Sequence, residues 1–226
     1  MVKIIKAVIF DLDGTLLDRE TSINIFAEKQ YNKYYKSFQH IDKELYISRF
    51  IKLDNKGMVW KDKVYQQLVK EFRLMDLTWE ELLQDYVNQF RYSSTPFPNL
   101  YQMLHSLKKM NIKVGMITNG KKEFQEYNIS ALEIEEYFEI ILISEIVGIK
   151  KPNPKIFEQA LKHMQVQPNE SFFVGDHPEN DINAANKVGM KSIWKKHKGI
   201  TCDSADFVIE DLNEIPIIIK DFLVTN

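Results

Sequence analysis

Four clusters of polar residues follow apolar runs in this chain, and their types could do chemistry together. Asp11 and Asp13 come first, set two apart in a turn-prone Asp11-Leu12-Asp13-Gly14. Thr118-Asn119-Gly120 offers a hydroxyl amid exposable backbone amides. Lys150 and Lys151 supply one or two cations, and Gly175-Asp176 continues to Asp181 with further carboxylates. Oxygen-rich carboxylate sets suit a hard divalent cation, and magnesium is the usual choice where phosphate is also bound. A hydroxyl, backbone amides and an ammonium would neutralise a phosphate.

The elements that must position these clusters are legible from periodicity. A Val- and Ile-rich strand is predicted from Lys3 to Phe10, ending at Asp11. From Asp18 to Tyr92 the apolar residues recur at helical spacing: Tyr31, Tyr34, Tyr35 and Phe38, then Val64, Leu68 and Phe72, then Leu82, Leu83, Tyr86 and Phe90. Thr78 and Glu81 form a capping box for the last of these helices, with breaks near Asn55-Lys56-Gly57 and between Ser93 and Pro98. Beyond that the pattern alternates. Helices are predicted over Leu100–Met110, Pro154–Met164 and Asp181–Val188, with another helical region between the second and third strands. Strands are predicted over Lys113–Ile117, Ile140–Ser144, Ser171–Val174, Lys191–Trp194 and Phe207–Ile209.

Strands alternating with amphipathic helices imply an α/β fold with a doubly wound, mainly parallel sheet. The expected organisation is a catalytic core of residues 1–17 and 93–226, with an all-helical cap of residues 18–92 inserted after the first strand. In such sheets ligands bind beyond the carboxyl ends of the strands, where all four clusters fall.

Composition narrows the class. The chain has 226 residues, 44% hydrophobic and 27% charged, with a formal net charge of −2. Such a balance gives no reason to expect nucleic acid or an anionic membrane as a partner. A single cysteine, Cys202, precludes an intrachain disulfide and fits a reducing compartment. No signal segment or membrane-length apolar run is apparent, so the expected location is cytoplasmic. The expected state is a monomer or a homodimer.

The clusters, taken in order, resemble the motifs of the haloacid dehalogenase superfamily, in its phosphatase-type subgroup with a helical cap after the first strand. They read Asp11-Leu12-Asp13-Gly14-Thr15, Thr118-Asn119-Gly120, Lys151-Pro152-Asn153-Pro154 and Gly175-Asp176-His177-Pro178-Glu179-Asn180-Asp181. The resemblance implies magnesium-dependent hydrolysis of a small phosphate monoester, with Asp11 as nucleophile and an aspartyl-phosphate intermediate. It implies that Asp13 is the general acid and base, and that Lys151 offsets charge on the nucleophile and the phosphoryl group. Thr118, Asn119 and Gly120 would bind the phosphoryl oxygens. The metal would be held by Asp11, Asp13 (through its backbone carbonyl) and Asp176, with Thr15 and Asp181 standing behind these ligands.

The cap would close as a lid over a small phosphorylated metabolite. Only about thirty residues separate Thr118 from Lys151, too few for a second large cap.

Two other functions compete with this one. An L-2-haloacid dehalogenase also uses an aspartate nucleophile, but the resemblance associates that activity with loss of the second aspartate, and Asp13 is present. Phosphonate cleavage or phosphosugar transfer remains open on these residues. A non-catalytic phospho-acceptor or binding module would combine similar residues, but without an insertion after the first strand. His177 reads as a bystander, Trp194 as core or wall, and the cap aromatics as a small core of their own. Asp181 could in addition cap the helix that follows it. Residues 54–60, like Arg19 and Glu20, could either face the site or merely connect helices.

Overall fold

The computed structural model describes residues 5–197 and 199–224. The chain divides into two compact units, Met1–Asp18 with Pro96–Asn226, and Arg19–Thr95.

The larger unit is built on a six-stranded sheet in the order β3-β2-β1-β4-β5-β6, with every neighbouring pair parallel. The strands are β1 (Ala7–Phe10), β2 (Lys113–Thr118), β3 (Ile140–Ile143), β4 (Ser171–Gly175), β5 (Lys191–Lys195) and β6 (Phe207–Ile209). The fold class is the α/β parallel sheet expected from the alternating pattern. Every residue of β1 is buried, as a central strand covered on both faces requires. The ladder begins at Ala7; Lys3 and Ile4, where the strand was expected to open, lie outside the described residues. Phe10 pairs with Met116 on one side and Val174 on the other, so β1 lies between the two halves of the sheet. Strand order reverses there, which opens a crevice beyond the carboxyl ends of β1, β2 and β4.

The smaller unit contains α1 (Arg19–Lys33), α2 (Tyr35–Phe38), α3 (Lys43–Asp54), α4 (Lys61–Glu71) and α5 (Trp79–Gln89). A tight helical turn, Phe90–Ser93, follows α5, and the Thr95 N–H donates to Ser22 Oγ at 2.9 Å. These contacts carry the unit to Thr95 rather than to Tyr92. Its core is aromatic: Phe26 meets Tyr86 edge-on at 5.2 Å, and Phe50 stacks on Tyr65 at 5.5 Å. Buried phenol groups need partners, and Gln30 supplies them by accepting from Tyr46 at 3.1 Å and Tyr65 at 2.8 Å. The Thr78–Glu81 capping box forms as expected. Between α3 and α4 the chain turns through Asn55, Lys56 and Gly57, all in the left-handed region. Asp54 holds this turn by accepting from the Gly57 N–H at 2.9 Å.

Asp54 is itself buried and accepts two bonds from Arg19, both 2.8 Å, and one from Lys61. Burial opposes its ionisation, but Lys61 and Arg19 outweigh that and hold the carboxyl below its usual range.

In the larger unit α6 (Leu100–Lys109) and α7 (Lys122–Ala131) flank β2, and α8 (Ser144–Val147) follows β3. Next comes α9 (Pro154–Met164), capped by Asn153 with Pro154 in its first turn. Its Ile156, Phe157, Ala160 and Met164 pack with Ile9, Ile117 and Phe173 on one face of the sheet. The opposite face receives α11 (Glu214–Val224), whose Phe222 meets Phe172 at 5.6 Å. The helix expected over Asp181–Val188 instead opens as a wide turn, Pro178–Asn183, and only then becomes α10 (Ala184–Val188). Among the described residues no helix is long and apolar enough to cross a membrane.

Replacing Asp54 with Ala should cost the smaller unit about 3–5 kcal/mol, because it removes the buried carboxylate that bonds to both Arg19 and Lys61. Urea unfolding of the full chain measures this; a loss below about 1 kcal/mol would show that the pair is not structural.

Candidate active site

Asp11 continues the path of β1 by one residue, its N–H donating to Val174 O at 2.9 Å. The chain then folds back on itself: Leu12 O accepts from the amides of Thr15, Leu16 and Leu17. This compact loop needs Gly14, which has a φ of 85° and lies so close to Asp176 that a Cβ would sit 2.5 Å from Oδ2. Thr15 donates to Asp11 Oδ2 at 3.3 Å, and His197 Nε2 contacts Gly14 O at 2.7 Å.

Lys151 reaches the same point from beyond β3. It is 3% exposed and donates to Asp11 Oδ1 at 2.6 Å and to Asp181 Oδ1 at 2.7 Å. Lys150, its neighbour, is exposed. Asn119 fixes the lysine's backbone from both sides: its Oδ1 accepts from Lys151 N and its Nδ2 donates to Lys151 O, each at 2.9 Å. Asp181 is aligned by a second bond, accepting from His177 N at 2.9 Å. Gly175 allows the chain to pass this carboxylate, since a Cβ there would lie 2.4 Å from Asp181 Cβ. His177 Nδ1 accepts from Glu179 N and Asn180 N, so this side chain caps the wide turn. Asp181 does not cap the helix after it; its oxygens go to Lys151 and back to His177 N. Trp194 is buried and donates from Nε1 to Asp176 O at 2.8 Å, fixing the loop from behind.

Asp11, Asp176 and Asp181 each present a carboxylate oxygen within 4.8 Å of the others. Burial pushes the Asp11 carboxyl up to about 7 against the pull of Lys151, and Asp181 and Asp13 add to the rise. Asp176 is raised well above the usual carboxylate range, first by burial and then by Asp11 and Asp181. Burial works against the Lys151 charge, yet Asp11 and Asp181 hold its ammonium above the usual range. Three crowded carboxylates facing one ammonium leave a surplus of negative charge. Their all-oxygen donor set fits a hard divalent cation.

Asp13 does not join this cluster with its carboxylate, which instead accepts from Gln125 Nε2 at 2.7 Å. The same nitrogen donates to Thr118 Oγ1. Gly120 differs from expectation: its N–H donates to Ser144 Oγ at 3.0 Å, and its missing side chain makes room for Gln125. The sequence-based reading missed Gln125, the indole contact of Trp194 and the approach of His197. A hint of Gln125 was present, since it follows apolar Phe124 in α7 and precedes Asn128 and Ile129 on the buried side of that helix.

Fold and site together place the chain among enzymes that work at the carboxyl ends of a parallel sheet. Residues 8–195 match the model of the haloacid dehalogenase-like hydrolases, and the chain belongs to that family. Among curated relatives it is similar to a glyceraldehyde 3-phosphate phosphatase of Pyrococcus furiosus, 30% identical over 93% of this chain and 91% of the relative. Among solved structures it resembles a phosphatase of the same superfamily from Thermococcus onnurineus, with 30% identity, a TM-score of 0.68, and coverage of 95% of this chain and 97% of that one. It also resembles a 2-haloacid dehalogenase from Pseudomonas syringae, with 25% identity, a TM-score of 0.64, and coverage of 97% and 100%.

A carboxyl raised in the fold above its unfolded value gives stability that is complete below 3.8 and is lost as the pH climbs through about 7. In metal-free buffer Asp11→Asn should therefore gain thermal stability relative to the parent between about pH 4 and pH 7. Melting curves across that window test this; a difference that stays constant with pH would refute the crowding of charge at Asp11.

Proposed function

We propose that this hydrolase cleaves a small phosphate monoester with the help of magnesium, through an aspartyl-phosphate on Asp11, and that Asp13 is its general acid and base. One observation carries the reading. The two carboxylates, two residues apart, are held by different partners: Asp11 by Lys151 and Thr15, Asp13 by Gln125. Such separation suits one carboxylate to attack and the other to move protons. The phosphatase names of the relative and of one structural neighbour support the same chemistry.

An Asp11 carboxylate oxygen attacks phosphorus, the ester bond breaks, and Asp13 protonates the departing oxygen. Asp13 then takes a proton from water, whose oxygen attacks phosphorus and releases phosphate from Asp11. The Thr118 hydroxyl and the Asn119 N–H hold the phosphoryl oxygens, and Lys151 offsets their charge. The Asp11 and Asp176 carboxylates and the Asp13 backbone carbonyl would hold the magnesium, with Asp181 and Thr15 bracing them. Once bound, the ion screens Asp11 from the anionic substrate. The substrate class is small phosphorylated metabolites, with three-carbon phosphates first in line because of the relative's name.

The dehalogenase alternative draws on the Pseudomonas syringae neighbour. A halide leaves without a proton, and a held Asp13 carboxylate has no task in that reaction.

Phosphate release from a panel of phosphate esters is the direct test. Asp11→Asn should abolish turnover, and Asp13→Asn should lower it by roughly 10²–10⁴-fold. Full activity in Asp11→Asn would end the assignment. Chelation should abolish activity and magnesium should restore it. Magnesium should also raise the melting temperature of the parent, and do so far less in Asp176→Asn. Haloacid turnover in chelator would favour the alternative.

A further inference from the structure

Gln125 is completely enclosed, 1% exposed, although it carries a polar amide at the edge of the site. Its Nε2 donates to Asp13 Oδ2 at 2.7 Å and to Thr118 Oγ1, with Asn119 O farther off at 3.4 Å. Its Oε1 faces the other way and receives Asn128 Nδ2 at 3.4 Å. An amide nitrogen has two hydrogens and no acceptor capacity, so both hydrogens are directed at Asp13 and Thr118. The amide is held in place by contact with the backbone. A Cβ on Gly120 would lie 2.8 Å from Gln125 Cγ and 3.1 Å from Nε2.

We infer that Gln125 is a positioning residue for the phosphoryl transfer, holding Asp13 in the orientation for proton transfer to and from the reacting oxygens. The inference rests on the function proposed above.

Its logic is that of donor and acceptor. Asp13 Oδ2 accepts from Gln125 whether or not the carboxyl is protonated, so the mobile proton belongs on Oδ1. When the ester P–O bond breaks, that proton passes from Oδ1 to the leaving oxygen. When water attacks the phosphoryl group on Asp11, Oδ1 takes the water's proton and the Asp11–phosphorus bond breaks. The carboxyl need not rotate between the two steps. A glutamate at this position would set a carboxylate against Asp13, and an apolar residue would leave the Asp13 carboxyl free to turn.

The test compares the parent with Gln125→Met, which keeps length and removes the donor, on p-nitrophenyl phosphate and on an alkyl phosphate with magnesium present. Nitrophenolate leaves without a proton; an alkoxide does not. Turnover of the alkyl ester should fall by about 10- to 100-fold. The first equivalent of nitrophenol should still appear at close to the parental rate. Steady turnover should then slow, with phosphorylated protein accumulating in intact-protein mass spectra, because activation of water also needs an aligned Asp13. Gly120→Ala, which keeps the amide but displaces it, should show the same selectivity and decides the matter if Gln125→Met does not fold. Equal losses on the two esters in the first turnover, or no loss on either, would overturn the assignment of Gln125. A parent that releases phosphate from neither ester would refute the underlying function instead.

Discussion

The ammonium of Lys151 is the contact on which the rest of the site depends. It is buried between Asp11 at the end of β1 and Asp181 in the turn after β4, and bonds to both. Without it, the Asp11 and Asp181 carboxylates would lose the ammonium that bonds to both while still crowded against Asp176. Such a charge is expensive to bury alone, so the protein holds it at several points. Asn119 grips its backbone, and a bond from His177 N orients the Asp181 carboxylate. The remaining cluster of carboxylate oxygens is a donor set that could hold a divalent cation.

The sheet explains how residues so far apart in the chain meet there. Because β1 is paired on both sides, the loops after β1, β2 and β4 open onto the same crevice. Close backbone approach completes the convergence. Gly14 and Gly175 allow the first and last of these loops to pass within contact distance of Asp176 and Asp181. The two aspartates are then separated by small differences of direction: Asp11 turns to the lysine, and Asp13 to an amide from α7.

Residues adjacent in sequence to strand ends could be read from the sequence, since strand and turn signals are local. This holds for Asp11, Asp13, Thr118 and Asp176, and for helix limits marked by caps, such as Pro154 and Thr78. Other features needed the folded chain. Gln125 meets Asp13 across 112 positions and His197 meets Gly14 across 183, and no local pattern encodes either approach. The terminal helix α11 was missed because Ile215-Pro216-Ile217-Ile218-Ile219 has no helical period; tertiary packing against the sheet overrides its β-prone residues. The turn at Pro178–Asn183 departs from a regular helix because His177 and Asp181 engage one another's main-chain and side-chain groups, a constraint invisible to periodicity.

One detail of the larger unit bears on how such proteins diversify. Leu17 and Pro96 form an antiparallel bridge, and Phe97 N donates to Leu16 O at 2.9 Å. The outgoing and returning chains are thus tied together at the border of the insertion. Loop-closure entropy rises only logarithmically with the length enclosed, so lengthening or exchanging the enclosed segment changes that term little. By that measure the loop carrying Asp11 and Asp13 is insulated from the length of whatever lies between those two residues. An ancestor with this fastening could try many accessory modules while leaving Asp11 and Asp13 undisturbed.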